Sequence, residues 1–225
     1  MAKTGLLSSS LGRKYAMALS ALFLLVFLLQ HFTINLTSVF PDEGKTFNSL
    51  SHFMGTNPVV QFALQPVLIL GVLFHFIMGF ILEAKNKGAR PVKYAKTSGG
   101  DNSTWMSRNM IWSGLVILAF LVLHFVDFFF PEINAKYIAS DADLSNDRYY
   151  DHVVHSFASP IRVGLYVVSF ILLAMHLLHG FQSAFQSLGA RHPKYTPLIK
   201  TLGKAYAILI PLGFIFIALF HHFNQ

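Results

Sequence analysis

Two histidines three residues apart, His176-Leu-Leu-His179-Gly180, lie inside an apolar run from Val163 to Phe185 that contains no charged residue. An imidazole at that depth of a greasy segment is costly and as a rule functional. Three further apolar runs each carry one histidine well inside them: His31, His75 and His124. Neutral imidazole is the commonest protein ligand for metals. Four imidazoles with no carboxylate inside the runs to neutralise them point to two bis-histidine metal sites. In a membrane helix bundle the metal that suits such pairs is haem iron. The chain has no Cys, so it has no disulfide, no thiolate-held iron–sulfur cluster and no covalent c-type haem, and any haem is held non-covalently. A lone histidine of this kind can also simply hydrogen-bond across a helix interface. One on each of four consecutive runs is much harder to explain by packing.

The elements that must position these residues follow from composition. The chain has 225 residues, of which 54% are hydrophobic and only 12% charged, far from a soluble profile. Five apolar runs stand out, and each has the roughly 20 residues needed to cross about 30 Å of hydrocarbon. The pattern predicts an all-α integral membrane protein, one membrane domain over 1–225, with transmembrane helices at about 14–36, 59–84, 107–130, 161–186 and 202–223. The first run follows Arg13-Lys14 as a secretory signal would. It is too long for a signal h-region and no small-x-small cleavage site follows it, so it is kept as a helix. Loops 37–58 and 131–160 are long for a compact bundle, and residues 146–157, with tyrosines at headgroup level, suit a short interfacial helix. No internal repeat or low-complexity tract stands out.

Charge placement sets the orientation. With the N-terminus cytoplasmic, the inner segments hold Lys3, Arg13, Lys14, Lys85, Lys87, Arg90, Lys93, Lys96, Arg108, Arg191, Lys194, Lys200 and Lys204, 13 of the 17 basic residues. The outer segments hold only Lys45, Lys136, Arg148 and Arg162. The acidic residues divide the other way, Glu83 and Asp101 inside and the other eight, Asp127 among them, outside. The inner face is therefore 13 − 2 = +11 and the outer face 4 − 8 = −4, as the positive-inside rule requires. The N-terminus is expected inside and the C-terminus outside. The basic balance belongs to a membrane face, and no motif supports nucleic-acid binding.

Orientation gives each histidine a depth. His31 is 17 residues past Lys14 and His124 is 16 past Arg108, about 25 and 24 Å from the cytoplasmic end at ~1.5 Å per residue. His75 precedes Lys85 by 10 residues, and His176 and His179 precede Arg191 by 15 and 12. The depths pair His31 with His124 in an outer site and His75 with His176 or His179 in an inner one. His75-x-x-x-Gly79 and His176-x-x-x-Gly180 share a glycine one turn on, which removes the side chain that would collide with a flat macrocycle and favours His176. His179 is left as an inner-site edge residue or a quinone-side donor. Arg162, at the outer start of the fourth helix, is a candidate partner for a haem propionate, with Arg13, Lys14 and Arg108 as inner counterparts. Gln30, Asn35, Asp127, His52 and His155 fall near the outer level, where a quinone carbonyl would need a donor.

The chain resembles the cytochrome b membrane anchors of succinate:quinone oxidoreductases, in the class with one five-helix subunit and two b haems that includes succinate dehydrogenases and menaquinol:fumarate reductases. The resemblance covers nearly the whole chain. It rests on Ser8-Ser9-Ser10-Leu-Gly-Arg-Lys14, His31 with Asn35, His75-x-x-x-Gly79, His124, and His176-Leu-Leu-His-Gly-Phe-Gln-Ser-Ala-Phe-Gln-Ser-Leu-Gly189. It implies that His176 is the fourth-helix ligand. It further implies that a flavoprotein and an iron–sulfur subunit dock on the cytoplasmic face of a bacterial membrane, and that electrons pass through two haem b groups to a quinone, menaquinone being expected, near the outer face. The chain would not oxidise succinate alone. The alternatives are the dihaem cytochrome b of a formate dehydrogenase or hydrogenase, and a haem-free anchor or transporter.

Overall fold

Long apolar segments can satisfy their backbone polar groups in a bilayer only by forming helices or closed barrels, and this chain uses helices. The computed structural model describes residues 9–88, 105–139, 145 and 147–225. Lys3, Ser8, Arg90, Lys93, Lys96, Asp101, Asp141 and Asp143, used above for topology or resemblance, lie outside the described residues. The main helices are α1 (Ser10–Leu36), α2 (Lys45–Thr56), α3 (Gln65–Gly88), α4 (Met110–His124), α5 (Arg148–Phe157), α6 (Pro160–Ser187) and α7 (Thr196–Phe223). Five segments are long and apolar enough to cross a membrane: Ser10–Val39, Val60–Gly88, Met110–Tyr137, Pro160–Ser187 and Thr196–Phe223. The chain is a multi-pass membrane protein. Val26, Phe62, Leu70, Trp112, Ile161 and Leu209 stand largely exposed on its outside, as a lipid-facing surface should.

Local chemistry explains where the ends depart from the expected ones. Helix α1 begins at Ser10 because the Ser9 hydroxyl caps it, accepting from the Gly12 amide at 2.9 Å. The third span does not stop near 130. It passes through a π-turn at Phe125–Phe129 and continues as Phe130–Tyr137. Pro131 has no N–H to offer the Asp127 carbonyl four residues back, and that carbonyl accepts from His152 Nε2 at 2.6 Å. The long first loop holds α2, which hydrophobicity alone does not reveal. Its start is fixed by Asp42, whose carboxylate accepts from the Thr46 hydroxyl and amide. Those bonds, the hydroxyl's foremost, hold the Asp42 carboxyl below its ordinary pKa. A short helix does form where one is expected, as α5.

Four spans close a ring. Helix α1 packs on α3 and α6, and α4 packs on the same two, so α1 faces α4 across one diagonal and α3 faces α6 across the other. Helix α7 fills the outer groove between α1 and α6. The outer half of the bundle is packed with Tyr166, Phe170, Phe214, Ile217 and Ala218.

Candidate functional site

Inward-facing residues of diagonal helices meet in the middle of the ring. His31 on α1 meets His124 on α4 with ring centroids 5.7 Å apart, and His75 on α3 meets His176 on α6 at 6.5 Å. All four line one cavity of about 1120 Å³, larger than the roughly 300–1,000 Å³ of an ordinary small-ligand pocket. The cavity runs along the bundle from Lys14, Glu83 and Ser187 at one end to Glu132, Tyr149 and His152 at the other. The two pairs fall at different levels, since Ser20, beside His75, precedes His31 on α1 by 11 residues, about 16 Å. The ring of His176 lies against His75, while His179 lines the same cavity.

Four observations test whether these residues fit haem. Two imidazoles holding one metal from opposite sides place their centroids about 6 Å apart, given metal–nitrogen bonds of about 2 Å and a ring radius of about 1 Å. Both pairs have that spacing. Among the described residues no three His, Cys, Asp or Glu side chains converge as a metal-binding group. A two-imidazole site suits a metal that brings its own equatorial ligands better than a zinc ion that needs three or four from the protein. Gly79 and Gly180 line the cavity, and a Cβ built on them meets nothing nearer than Met17 Cε at 3.8 Å and Met110 Cε at 3.5 Å. This leaves flat, open wall beside His75 and His176. Finally, His124 Nδ1 is buried without a hydrogen-bond partner, so this imidazole lacks the cross-helix hydrogen bond that would explain it as a packing residue. The residues fit two non-covalent haem groups.

The surroundings of the two pairs differ. The outer pair sits among aromatic rings: Phe27 stacks on His31 at 5.5 Å, Phe120 stacks on His124 at 5.9 Å, and Phe128 and Tyr166 flank His124. The inner pair instead has hydroxyls. Ser20 Oγ is 3.1 Å from His75 Nδ1, and Ser113 Oγ is 3.1 Å from His176 Nδ1.

Asp127 departs from its expected place. The sequence places it with the outer charges; its side chain is 2% exposed, one turn beyond His124 and inside the third span. Tyr166 donates its hydroxyl to the Asp127 carboxylate at 2.9 Å and Arg162 Nε lies 3.2 Å from the same oxygen. Arg162, the expected propionate partner, thus directs its guanidinium to Asp127, and also donates to the Ser156 carbonyl at 3.3 Å. A buried carboxylate does therefore lie among the apolar runs, and an arginine and a phenol satisfy it.

At the outer mouth a polar network joins the third span to α5. Glu132 accepts from Lys136 at 2.6 Å, from Arg148 at 2.9 Å and from Tyr149 at 2.8 Å, and Lys136 also donates to the Gly55 carbonyl. Burial and the adjacent Glu132 carboxylate push the Tyr149 phenol above its ordinary pKa. Of the residues expected near a quinone, Gln30 and Asn35 line the main cavity, while His155 lines a separate one of about 330 Å³. His52 carries a buried, unpartnered Nδ1. Glu132, Arg148 and Tyr149 line the main cavity as well and are not evident from the sequence; His152, which the sequence offers with His155 for proton exchange near an outer quinone pocket, lines it too. Only the i,i+4 spacing of Glu132 and Lys136 hinted at part of the network.

A family model described as succinate dehydrogenase/fumarate reductase transmembrane subunit matches residues 86–211, more than half of the chain. The matched region takes in His124 and His176. No curated protein and no solved structure matches the chain.

Proposed function

Since the chain belongs to the succinate dehydrogenase/fumarate reductase transmembrane-subunit family, and is by that membership a membrane anchor subunit of such a complex, we propose that it is a dihaem cytochrome b. In this reading His31 and His124 hold an outer haem b, and His75 and His176 hold an inner one. The observation that carries it is the meeting of these histidines in two pairs across the diagonals of the four-helix ring. The family implies association with the catalytic subunits of the complex. We take these to be a flavoprotein and an iron–sulfur protein, docked on the basic cytoplasmic face of a bacterial inner membrane, where complementary charge would guide them. When bound, the haems would supply one-electron transfer between the iron–sulfur subunit and a membrane quinone, with menaquinone the expected one.

The chain's own contribution is positional and electrostatic. The diagonal helices set the two histidines of each pair at a fixed separation. The apolar wall of Leu, Ile and Phe side chains keeps water away from both pairs. Gly79 and Gly180 keep the inner wall flat. At the outer mouth, Gln30 and Asn35 offer donors to a quinone carbonyl, and His152 and Tyr149 lie where protons would be exchanged with the outside. Arg162 offsets the charge of Asp127 next to the outer pair, which keeps a buried anion from acting unopposed on that site. The family match gives no support to a formate dehydrogenase or hydrogenase cytochrome.

The test is a reduced-minus-oxidised spectrum with a pyridine haemochrome assay on the complex purified from its own membranes. The expected result is a b-type α-band and two haems per chain, falling to one in His124→Ala and in His176→Ala. A chain without haem would overturn the reading. Retention of both haems in His176→Ala, with loss of one in His179→Ala, would reassign the inner ligand.

A further inference from the structure

The bundle repeats itself in a way that the sequence hides. Met17-x-x-Ser20 and His31 on α1 recur as Met110-x-x-Ser113 and His124 on α4, every member displaced by 93 positions (17 to 110, 20 to 113, 31 to 124). His75-x-x-x-Gly79 on α3 recurs as His176-x-x-x-Gly180 on α6, displaced by 101 (75 to 176, 79 to 180). The contacts recur too. Each methionine end lies nearest its glycine, and each serine oxygen lies 3.1 Å from Nδ1 of its histidine.

The hydroxyl protons are already committed. Ser20 donates to the Met17 carbonyl at 2.8 Å, and Ser113 donates to the Met110 carbonyl at 2.9 Å. A hydroxyl has one proton, so toward each histidine it can only accept. With that proton on the carbonyl, Nδ1 of His75 and of His176 carries the hydrogen. Nε2 is left as the unprotonated nitrogen of a ring that lines the cavity. Among the described residues the outer pair has no such arrangement. Beside the His31 ring Asn35 Nδ2 lies at 3.5 Å, already donating to the His31 carbonyl at 2.8 Å, and His124 Nδ1 has no partner among the described residues.

Resting on the dihaem reading, we infer that Ser20 and Ser113 are positioning residues of the inner haem site alone: they hold the Nδ1–H tautomer of both axial histidines and make Nε2 a stronger donor to the iron. An acceptor on the far nitrogen of a ligating imidazole raises its basicity and fixes its ring, and loss of such a partner typically weakens the metal site about 10–100-fold. A more basic ligand favours the ferric state, so removing the acceptor raises the midpoint potential of the inner haem.

The experiment is a redox titration of the full complex in native membranes, together with haem per chain, for Ser20→Ala, Ser113→Ala, and the threonine and valine variants at both positions. The outer haem serves as the internal control. In the alanine variants we expect a several-fold rise in the reduced-to-oxidised ratio of the inner haem at the potential where the wild type is half-reduced, or loss of that haem, with the outer haem unmoved. Threonine, which keeps a hydroxyl able to donate to a preceding carbonyl, should restore the wild-type titration. Valine, its isostere, should not. The inference is overturned if the alanine variants leave the inner haem unchanged, if both haems move together, or if threonine behaves like valine. If the alanine chains fail to assemble, the threonine–valine comparison still decides. A wild-type chain without haem would instead sink the dihaem reading itself.

Discussion

Two kinds of glycine separate cavity wall from packing space at the scale of single residues. Gly79 and Gly180 face the cavity, and a Cβ there would make only ordinary contacts with methionine ends. Gly213 on α7 is different, because a Cβ there would lie 2.3 Å from Cε2 of the Phe32 ring on α1. Among the described residues a Cβ at Gly180 meets only the movable end of Met110, whereas Gly213 is where two helices approach closely. Under the dihaem reading Gly180→Leu should insert, fold and purify like the wild type yet carry one haem instead of two. Gly213→Ala should keep both haems and lose stability by about 1–3 kcal/mol, the usual cost of overpacking, seen as a lower unfolding midpoint in detergent. Equal haem loss in both variants would mean that the cavity at Gly180 is not shaped for a bound group.

At the scale of elements, the third span is registered against α6 by a latch of three side chains. The Asp127 carboxylate, 2% exposed, is held by Tyr166 and by Arg162, whose side chain is 37% exposed. Removing one partner of a fully buried pair costs about 3–5 kcal/mol; with the arginine half in the open, about 2 kcal/mol is expected for Arg162→Met. Asp127→Asn in the same chain should recover most of that loss, because the stranded charge is gone and the two changes are coupled. A thermal-unfolding cycle over the four chains measures this, and simple additivity would mean that the latch contributes nothing. The latch also marks where reading the sequence reaches its end. The five spans were legible because hydrocarbon thickness fixes their length and apolarity, and the histidine levels followed from counting residues along them. Asp127 was misplaced because a carboxylate near the end of an apolar run looks solvated, and its partners lie on another helix. Ser20 and Ser113 look like ordinary small residues of membrane helices until their distances to imidazole are known. The π-turn that carries the third span on to Tyr137 likewise depends on a histidine from α5 that no local pattern announces.

For the whole molecule, the decisive quantity is which end of the cavity faces the cytoplasm, since it determines which histidine pair lies nearest the catalytic subunits. The helices fix only relative levels: His75 and His176 share the end of Lys14 and Glu83, and His31 and His124 share the end of Glu132 and His152. Charge selects the direction. With the connecting segments of the sequence divided +11 against −4, the positive-inside rule would set the His75/His176 pair toward the docked subunits and the mouth with Tyr149 and His152 toward the outside. Three spans separate Gln225 from the basic stretch of residues 85–107 and so would put it on the opposite side of the membrane. Alkaline phosphatase, which folds only outside the cytoplasm, should be active when fused after Gln225 and inactive when fused within 85–107. The opposite pattern would invert the bundle. Electrons would then meet the aromatic-lined pair before the serine-held one, and the quinone mouth would open to the cytoplasm.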